Sequence, residues 1–209
     1  MKIAILGYVG SGKTYVANYV SEKKGIPSLQ LDSIKFDKEW KPIDDAIVLP
    51  QVVEFMAKES WIIDGYYNYL LLDERLEQAD QIILLLLPRL TCFFRAVKRT
   101  KARREAGYKN DMNRWFIKFA LFGCRNKKRR RIYAEIVEKH KEKTVVLRTR
   151  KQVAEFLTEI KQGAMFREIT RKKQKLTFLS LDMDFTSFIE KRNENANGEL
   201  LKKIFTIIE

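Results

Sequence analysis

The stretch GYVGSGKT, residues 7–14, matches the pattern G-x-x-x-x-G-K-[ST] without a gap. Four residues between the outer glycines let the backbone curl into a ring of N–H donors around a phosphate. Glycines at these places tolerate the dihedral angles that such a ring needs and admit a close anion. The residues expected to bind the nucleotide are Gly7, Gly10, Ser11, Gly12, Lys13 and Thr14.

The flanking sequence supports this interpretation of the loop. Residues 2–6, KIAIL, form an apolar run that predicts a buried strand, and residues 14–24 have the apolar spacing of a helix. The loop therefore follows a strand and opens a helix whose positive end faces the anion. Lys13 is expected to reach the β- and γ-phosphates of ATP, and the Thr14 hydroxyl is expected to ligate Mg²⁺.

Outside the loop, short apolar runs alternate with helical patterns. This alternation predicts an α/β fold with a parallel sheet and helices on both faces. Strands are expected at 28–31, 61–63, 81–87 and 144–147, and helices at 42–58, 70–77, 89–105, 125–143 and 151–160. We expect one domain over 1–163 with a basic helical lid at about 100–130, a turn at 106–113, and a C-terminal extension over 164–209.

Composition excludes several classes of protein. The longest apolar run, residues 82–87, is far shorter than the roughly 20 residues of a membrane span. The apolar start of the chain breaks at Gly7, so no signal peptide is expected. Two isolated cysteines, Cys92 and Cys124, and a single His140 argue against disulfide scaffolds, zinc modules and histidine triads. We expect a cytoplasmic protein with no membrane partner.

Charge is concentrated in one part of the chain. The 209 residues carry a net charge of +14. The segment 89–151 contains 22 Lys and Arg against 5 Asp and Glu, so it is strongly basic while the remainder is slightly acidic. A phosphate-rich ligand, a polyanionic partner, or both are expected to face this segment.

Sequence motifs outside the loop indicate which type of reaction the protein catalyses. The only Asn-Lys pair, Asn126-Lys127, is followed by Lys-Arg and so lacks the N-K-x-D pattern of GTPases. Asp64, at the end of a predicted strand, is followed directly by Gly65 and not by the glutamate of many ATP hydrolases. Transfer of a phosphoryl group to a small acceptor is therefore favoured over hydrolysis.

Three further residues are candidates for the metal and the acceptor. Asp64 could hold a magnesium-bound water beside Thr14, the alternative being a turn or cap aspartate. Asp32, after the second strand, could orient or deprotonate an acceptor hydroxyl, the alternative being a loop aspartate that caps a turn. Lys35 is placed to bind an acceptor phosphate.

Arginines on the predicted lid are candidates for neutralising the transferred group. Arg95, Arg99 and Arg103 share one helix face, with Arg104 beside them, and Arg125 and Arg129 repeat the spacing of four on the returning helix. Arg99 and Arg125 are the first choices as catalytic arginines, together with Lys13. The alternative for any one of them is a solvated helix face.

Several segments together resemble the adenylate-kinase-like DNA topology modulation proteins. They are GYVGSGKT at 7–14, LD at 31–32, WIIDG at 61–65, ERLEQADQIILL at 74–85, RAVKR at 95–99 and RNKKRRRIY at 125–133. Over residues 1–162 the resemblance implies a P-loop NTPase core with a five-stranded parallel sheet in the order 2-3-1-4-5, a reduced lid, and ATP and Mg²⁺ as ligands. Where adenylate kinases have Phe-Pro-Arg after Asp-Gly, this chain has Tyr66-Tyr67-Asn68.

Two functions stay open at this point. The first is a kinase acting on a nucleotide or another small acceptor. The second is a nucleic-acid-associated ATP-binding protein that affects DNA topology, with the cations of 127–131 on the nucleic acid. The aromatic residues upstream, Trp115, Phe116, Phe119 and Phe122, could stack on bases, but their helical spacing favours packing of the lid on the core.

Overall fold

A computed structural model describes residues 1–37, 39–105, 114–164 and 168–170. Five strands form one sheet in which every pairing is parallel, with the order β2-β3-β1-β4-β5. This confirms the α/β class and the strand order implied by the family resemblance. The strands are β1 (Lys2–Gly7), β2 (Ser28–Gln30), β3 (Trp61–Asp64), β4 (Gln81–Leu85) and β5 (Thr144–Leu147).

Eight helices connect or flank the strands within the described ranges. They are α1 (Lys13–Lys24), α2 (Leu31–Lys35), α3 (Asp45–Met56), α4 (Leu72–Gln78), α5 (Arg89–Glu105), α6 (Arg114–Leu121), α7 (Lys127–Lys139) and α8 (Arg150–Lys161). Local signals explain several boundaries. The Asn126 side chain accepts from the Arg129 amide at the start of α7, and Thr149 and Gln152 form a reciprocal capping box at the start of α8.

Alternation along the strands produces a core on each face of the sheet. Ile3 and Ile5 of β1 join α1 and α8 in one cluster, whereas Ala4 and Leu6 join α3, α4 and α7 in the other. Because successive side chains of a strand point to opposite faces, a strand buried on both sides is apolar throughout. This produces the three-layer arrangement expected for the domain.

Some expected elements differ from those observed. The second strand ends at Gln30, because Leu31 begins the short helix α2, and the fourth strand ends at Leu85. The predicted helix over 125–143 is divided into 3₁₀ turns at Gly123–Arg125 and Lys141–Lys143 around α7. The predicted turn at 106–113 lies outside the described residues, as does nearly all of the predicted extension, 164–209. The domain boundary near residue 163 therefore stays a prediction.

The parallel sheet also determines where a site can form. β1 ends at Gly7, β3 ends at Asp64, and Asp32 follows β2 by two residues. Because the carboxyl ends of parallel strands meet at one edge, all three segments lie on the same side of the sheet. In the described part of the chain, no helix is long and apolar enough to cross a membrane.

Candidate functional site

The loop between β1 and α1 leaves its amides available. In this part of the structure the Ser11 amide donates to the Tyr8 carbonyl at 3.1 Å, but the amides of Gly10, Gly12, Lys13 and Thr14 have no recorded protein acceptor. Donors at the start of a helix cannot be satisfied by the helix itself. A cluster of such amides at the positive end of α1 is suited to bind a phosphate anion.

Close packing surrounds this loop. An ideal Cβ at Gly10 would lie 2.1 Å from the Cys92 carbonyl oxygen, so the loop passes directly beside the start of α5. The Lys13 ammonium folds back to donate to the Tyr8 carbonyl at 3.3 Å. The hydroxyl of the buried Tyr133, on α7, donates to the Gly7 carbonyl at 3.2 Å, and burial raises its pKa to about 12, so it keeps its proton at neutral pH.

Thr14 and Asp64 are brought together as the sequence predicted. The Thr14 hydroxyl donates to Asp64 Oδ2 at 2.7 Å. Asp64 is 4% exposed, and its second oxygen, Oδ1, is buried without a hydrogen-bond partner. An ionised oxygen in this situation is costly unless a cation or donor meets it. The pair therefore fits a Mg²⁺ ion held mainly by nucleotide phosphates and water, which is how Mg²⁺ commonly binds.

The surroundings of Asp64 raise the pKa of its carboxyl above the ordinary value. Burial raises the pKa of its carboxyl, Lys13 and the Thr14 hydrogen bond lower it, and nearby Asp32 raises it again. In the described ranges, no group of three or more His, Cys, Asp and Glu side chains could hold a metal ion alone. A metal at this position would consequently need ligands from the nucleotide.

Asp32, which the sequence predicts to contact an acceptor, lies beside Tyr67. The Tyr67 hydroxyl donates to Asp32 Oδ1 at 2.5 Å, and Asp32 is exposed. Burial, followed by the charge of Asp32, raises the pKa of Tyr67, so its hydroxyl stays a donor at neutral pH. The Tyr69 ring lies edge-on to that of Tyr67, with ring centroids 5.9 Å apart. An exposed carboxylate beside aromatic rings can bind a hydroxyl-bearing molecule.

Lys35 has partners of its own. Its ammonium donates to the Ile43 carbonyl at 2.5 Å and pairs with Asp45 at 2.6 Å, and the residue is 8% exposed. The ion pair therefore joins α2 to the start of α3. An acceptor phosphate would have to compete with both of these partners, and the predicted role of Lys35 in acceptor binding stays a prediction.

The predicted arginines occupy different positions around the loop. Arg95 donates to the Ser11 carbonyl at 3.3 Å. Arg99 is exposed, and its charge lowers the pKa of Asp64, so it lies within electrostatic reach of the metal side. Arg125 donates to the Leu87 carbonyl at 2.8 Å, with its guanidinium 3.9 Å from the centroid of the Tyr8 ring. The side chains of Arg103 and Arg104 lie outside what the structure describes.

A second cation–aromatic contact joins α7 to the segment after β3. The Arg129 guanidinium lies 3.3 Å from the centroid of the Tyr66 ring. On α6, by contrast, Trp115 is 68% exposed and stacks on Phe119, which packs on the core. The prediction that these aromatic residues pack inward is therefore wrong for Trp115. The nucleic-acid role of residues 127–131 stays a prediction.

Three contributions were not foreseen from the sequence. Arg95 contacts Ser11 of the loop, and its position on the same helix face as Arg99 is the sequence signal for that contact. Tyr67 carried a weaker signal, as part of the segment where the chain departs from adenylate kinases. Arg75, fully buried on α4, had none, because an arginine among charged residues predicts a solvated helix face.

Comparisons with known proteins reach only remote similarity. No protein-family model matches the chain, and no curated protein matches it in sequence. Three kinases are among the solved structures that are similar to it. One is a gluconokinase from Sinorhizobium meliloti 1021, with 18% identity over 86% of this chain and 97% of that one, and a TM-score of 0.46. Another is a shikimate kinase from Aquifex aeolicus, with 16% identity over 77% and 93%, and a TM-score of 0.42.

The third is a sugar kinase from Janibacter sp. HTCC2649, with 14% identity over 87% of this chain and 95% of that one, and a TM-score of 0.40. Similarities this remote do not bear on function, and the assignment of the fold depends on the strand order. Membership of the DNA topology modulation family stays a prediction.

Proposed function

We propose that the protein is an ATP-dependent phosphotransferase that moves the γ-phosphoryl group to a hydroxyl of a nucleotide or another small acceptor. The observation that carries the proposal is the contact of half-buried Thr14 with buried Asp64, beside loop amides that have no recorded protein acceptor, with a partnerless oxygen on Asp64. Asp32 supports the acceptor half of the reaction, because it is an exposed carboxylate on the same edge of the sheet as Asp64.

The chemistry assigns a task to each group. The acceptor hydroxyl oxygen forms a bond to the γ-phosphorus, while the bond from the γ-phosphorus to the β–γ bridging oxygen breaks and its electron pair leaves with ADP. The hydroxyl proton passes to the carboxylate of Asp32, which Tyr67 orients through its hydrogen bond. Lys13 and the loop amides bind the phosphate oxygens on which charge is spread.

Thr14 and Asp64 would hold Mg²⁺, which neutralises the β- and γ-oxygens when it is bound. Arg95 contacts the α5 side of the loop and Arg125 the Tyr8 side, while Arg99 follows Arg95 one turn later on α5. Guanidinium groups on both sides suit a group whose charge increases during transfer. The predicted catalytic roles of Arg99 and Arg125 are thus part of the proposal.

A product survey tests the proposal directly. The purified protein is incubated with ATP, Mg²⁺ and a panel of nucleosides, nucleoside monophosphates, sugars and polyols, and ³¹P NMR follows the formation of ADP and phosphate esters. We expect ADP to form together with one phosphorylated class of acceptor. Failure to form a phosphorylated product with any member of a broad panel, in protein that binds MgATP, would contradict phosphoryl transfer.

Substituting Asp32 by asparagine should separate catalysis from nucleotide binding. Asparagine keeps an oxygen for the Tyr67 hydroxyl but cannot accept the proton, so we expect kcat to fall about 100-fold while the affinity for MgATP changes less than about twofold. Asp73→Asn, on the exposed first turn of α4, is the matched control and should retain wild-type kcat. Wild-type kcat in Asp32→Asn would exclude Asp32 as the base.

The raised pKa of Asp64 predicts a pH dependence of MgATP affinity. A proton on this carboxyl competes with the metal, so affinity should rise with pH through the raised pKa and level off above it. Below that pKa the loss should approach about tenfold per pH unit. Calorimetric titrations from about pH 5 to about pH 8 would compare the wild type with Asp64→Asn.

The asparagine variant reports the titration of ATP itself, so the difference between the two proteins isolates Asp64. We expect weak binding in Asp64→Asn, with a shallower pH dependence. Equal pH slopes in the two proteins would show that Asp64 does not bind the metal.

A further inference from the structure

Arg75 is a fully buried cation on α4. Its Nε donates to the Leu70 and Leu71 carbonyls at 3.0 and 3.3 Å. One terminal nitrogen donates to the Gly65 carbonyl at 2.9 Å, and the other donates to the carbonyls of Tyr66 and Tyr67 at 2.8 and 3.0 Å. One guanidinium therefore holds five carbonyls of the segment 65–71, which we call the β3–α4 loop.

The recorded hydrogen bonds of Arg75 all go to backbone carbonyls. Among the described residues, none of the recorded ion pairs includes Arg75. Burial lowers its pKa to about 10, opposed by Glu74, so the side chain remains charged at neutral pH. Burying a charge for carbonyl partners alone is expensive compared with an apolar residue of the same size. A requirement for one particular loop conformation would account for such a residue.

The β3–α4 loop carries groups that face the site. Its first residue follows Asp64, and Tyr67 donates to Asp32 Oδ1. The Tyr66 ring lies under the Arg129 guanidinium of α7. Arg75 thus binds the backbone carbonyls of Tyr66 and Tyr67, whose side chains contact Arg129 of α7 and Asp32 respectively.

We propose that Arg75 is a positioning residue that fixes the β3–α4 loop, and through Tyr67 the orientation of Asp32, and thereby sets affinity for the acceptor. This inference rests on the proposed function for its acceptor. Arg75 lies behind the loop and touches neither the phosphate loop nor the Thr14–Asp64 pair in any recorded contact. We therefore expect its effect to be larger on the acceptor side than on the nucleotide side.

Arg75→Lys is the most informative variant. Lysine keeps the charge but replaces a rigid planar fork by a single ammonium, which cannot reach carbonyls at both ends of the loop. We expect the KM for the acceptor to rise at least about tenfold, with the KM for ATP within about twofold of the wild type. Amide hydrogen exchange should quicken in residues 65–71 and stay unchanged in residues 7–14.

Arg150→Lys is the matched control, since Arg150 is exposed on the first turn of α8, which packs on the face of the sheet opposite α4. It should leave both KM values and the exchange pattern unchanged. Arg75→Met removes the charge as well and tests the same prediction if it folds. If it does not fold, Arg75→Lys decides alone.

An unchanged acceptor KM in Arg75→Lys, or an equal rise in both KM values, would overturn the positioning role. If the wild type forms no phosphorylated product, the proposed function fails and the exchange measurement still decides whether Arg75 holds the loop. Wild-type exchange across 65–71 in Arg75→Lys would then overturn the inference as well.

Discussion

Replacement of Lys13 by alanine is expected to lower kcat/KM for ATP by on the order of 100- to 1,000-fold while leaving the folded protein as stable as before. In the proposed function Lys13 binds the β- and γ-phosphates of ATP, so its loss would remove a full positive charge from beside them. In the free protein its ammonium makes one recorded hydrogen bond, a long one of 3.3 Å to the Tyr8 carbonyl.

Stability is expected to be kept for a second reason. A cation in the first turn of a helix interacts unfavourably with the helix dipole. Alanine at the first position of α1 should therefore leave the free energy of unfolding unchanged or raise it by about 0.3 kcal/mol. An ADP-release assay and calorimetry with MgATP measure the two effects separately.

Lys161→Ala is the matched control for Lys13→Ala. Lys161 is exposed on the last turn of α8, away from the loop in the chain, and its loss should leave ATP use unchanged. Wild-type affinity and turnover in Lys13→Ala would contradict the assignment of residues 7–14 as the nucleotide site.

Replacement of Gly10 by alanine is expected to remove both stability and nucleotide binding. Gly10 has φ +73°, and an added Cβ would lie 2.1 Å from the Cys92 carbonyl oxygen and 2.9 Å from its carbon. Those atoms belong to the backbone of α5 and cannot rotate away. Either the loop or α5 must move, and we expect a destabilisation of about 3 kcal/mol or more from strain and overpacking together.

Gly25→Ala is the matched control for Gly10→Ala. Gly25 has φ +65°, nearly the same backbone conformation, but an added Cβ there meets nothing within 4 Å. Its alanine variant should lose only the conformational cost, about 1 kcal/mol, and should still be stabilised by MgATP. Thermal or urea unfolding with and without MgATP measures both quantities. Equal destabilisation in the two variants, with equal stabilisation by MgATP, would show that the contact of the added Cβ with Cys92 affects neither stability nor nucleotide binding.

Much of the fold was predictable because its signals are local. β5 at Thr144–Leu147 and α5 at Arg89–Glu105 have the predicted bounds, since apolar runs and helical spacing act within a few residues. The order of the strands came from the family resemblance and not from periodicity. The helix α2 was missed, because its five residues are too few to show a helical period.

Part of the candidate site was predictable for the same reason. Residues 7–14 and the partnership of Thr14 with Asp64 followed from a spacing and from the end of a strand. Asp32 was correctly placed after β2, but its partner Tyr67 lies 35 residues away in sequence. A contact over such a distance depends on the pairing of β2 with β3, which the sequence around either residue does not indicate.

Local patterns in the sequence were enough to predict the strand and helix on either side of residues 7–14, the parallel α/β core, and the basic segment. The strands and helices follow from backbone geometry, which repeats at fixed intervals along the chain. The burial of Arg75 beneath the loop after β3, the pairing of Lys35 with Asp45 and the contact of Arg95 with Ser11 are visible only in the folded chain. The physical reason is that a charged side chain has the same local pattern whether it faces water or a carbonyl, and the partner comes from packing between segments that are distant along the chain.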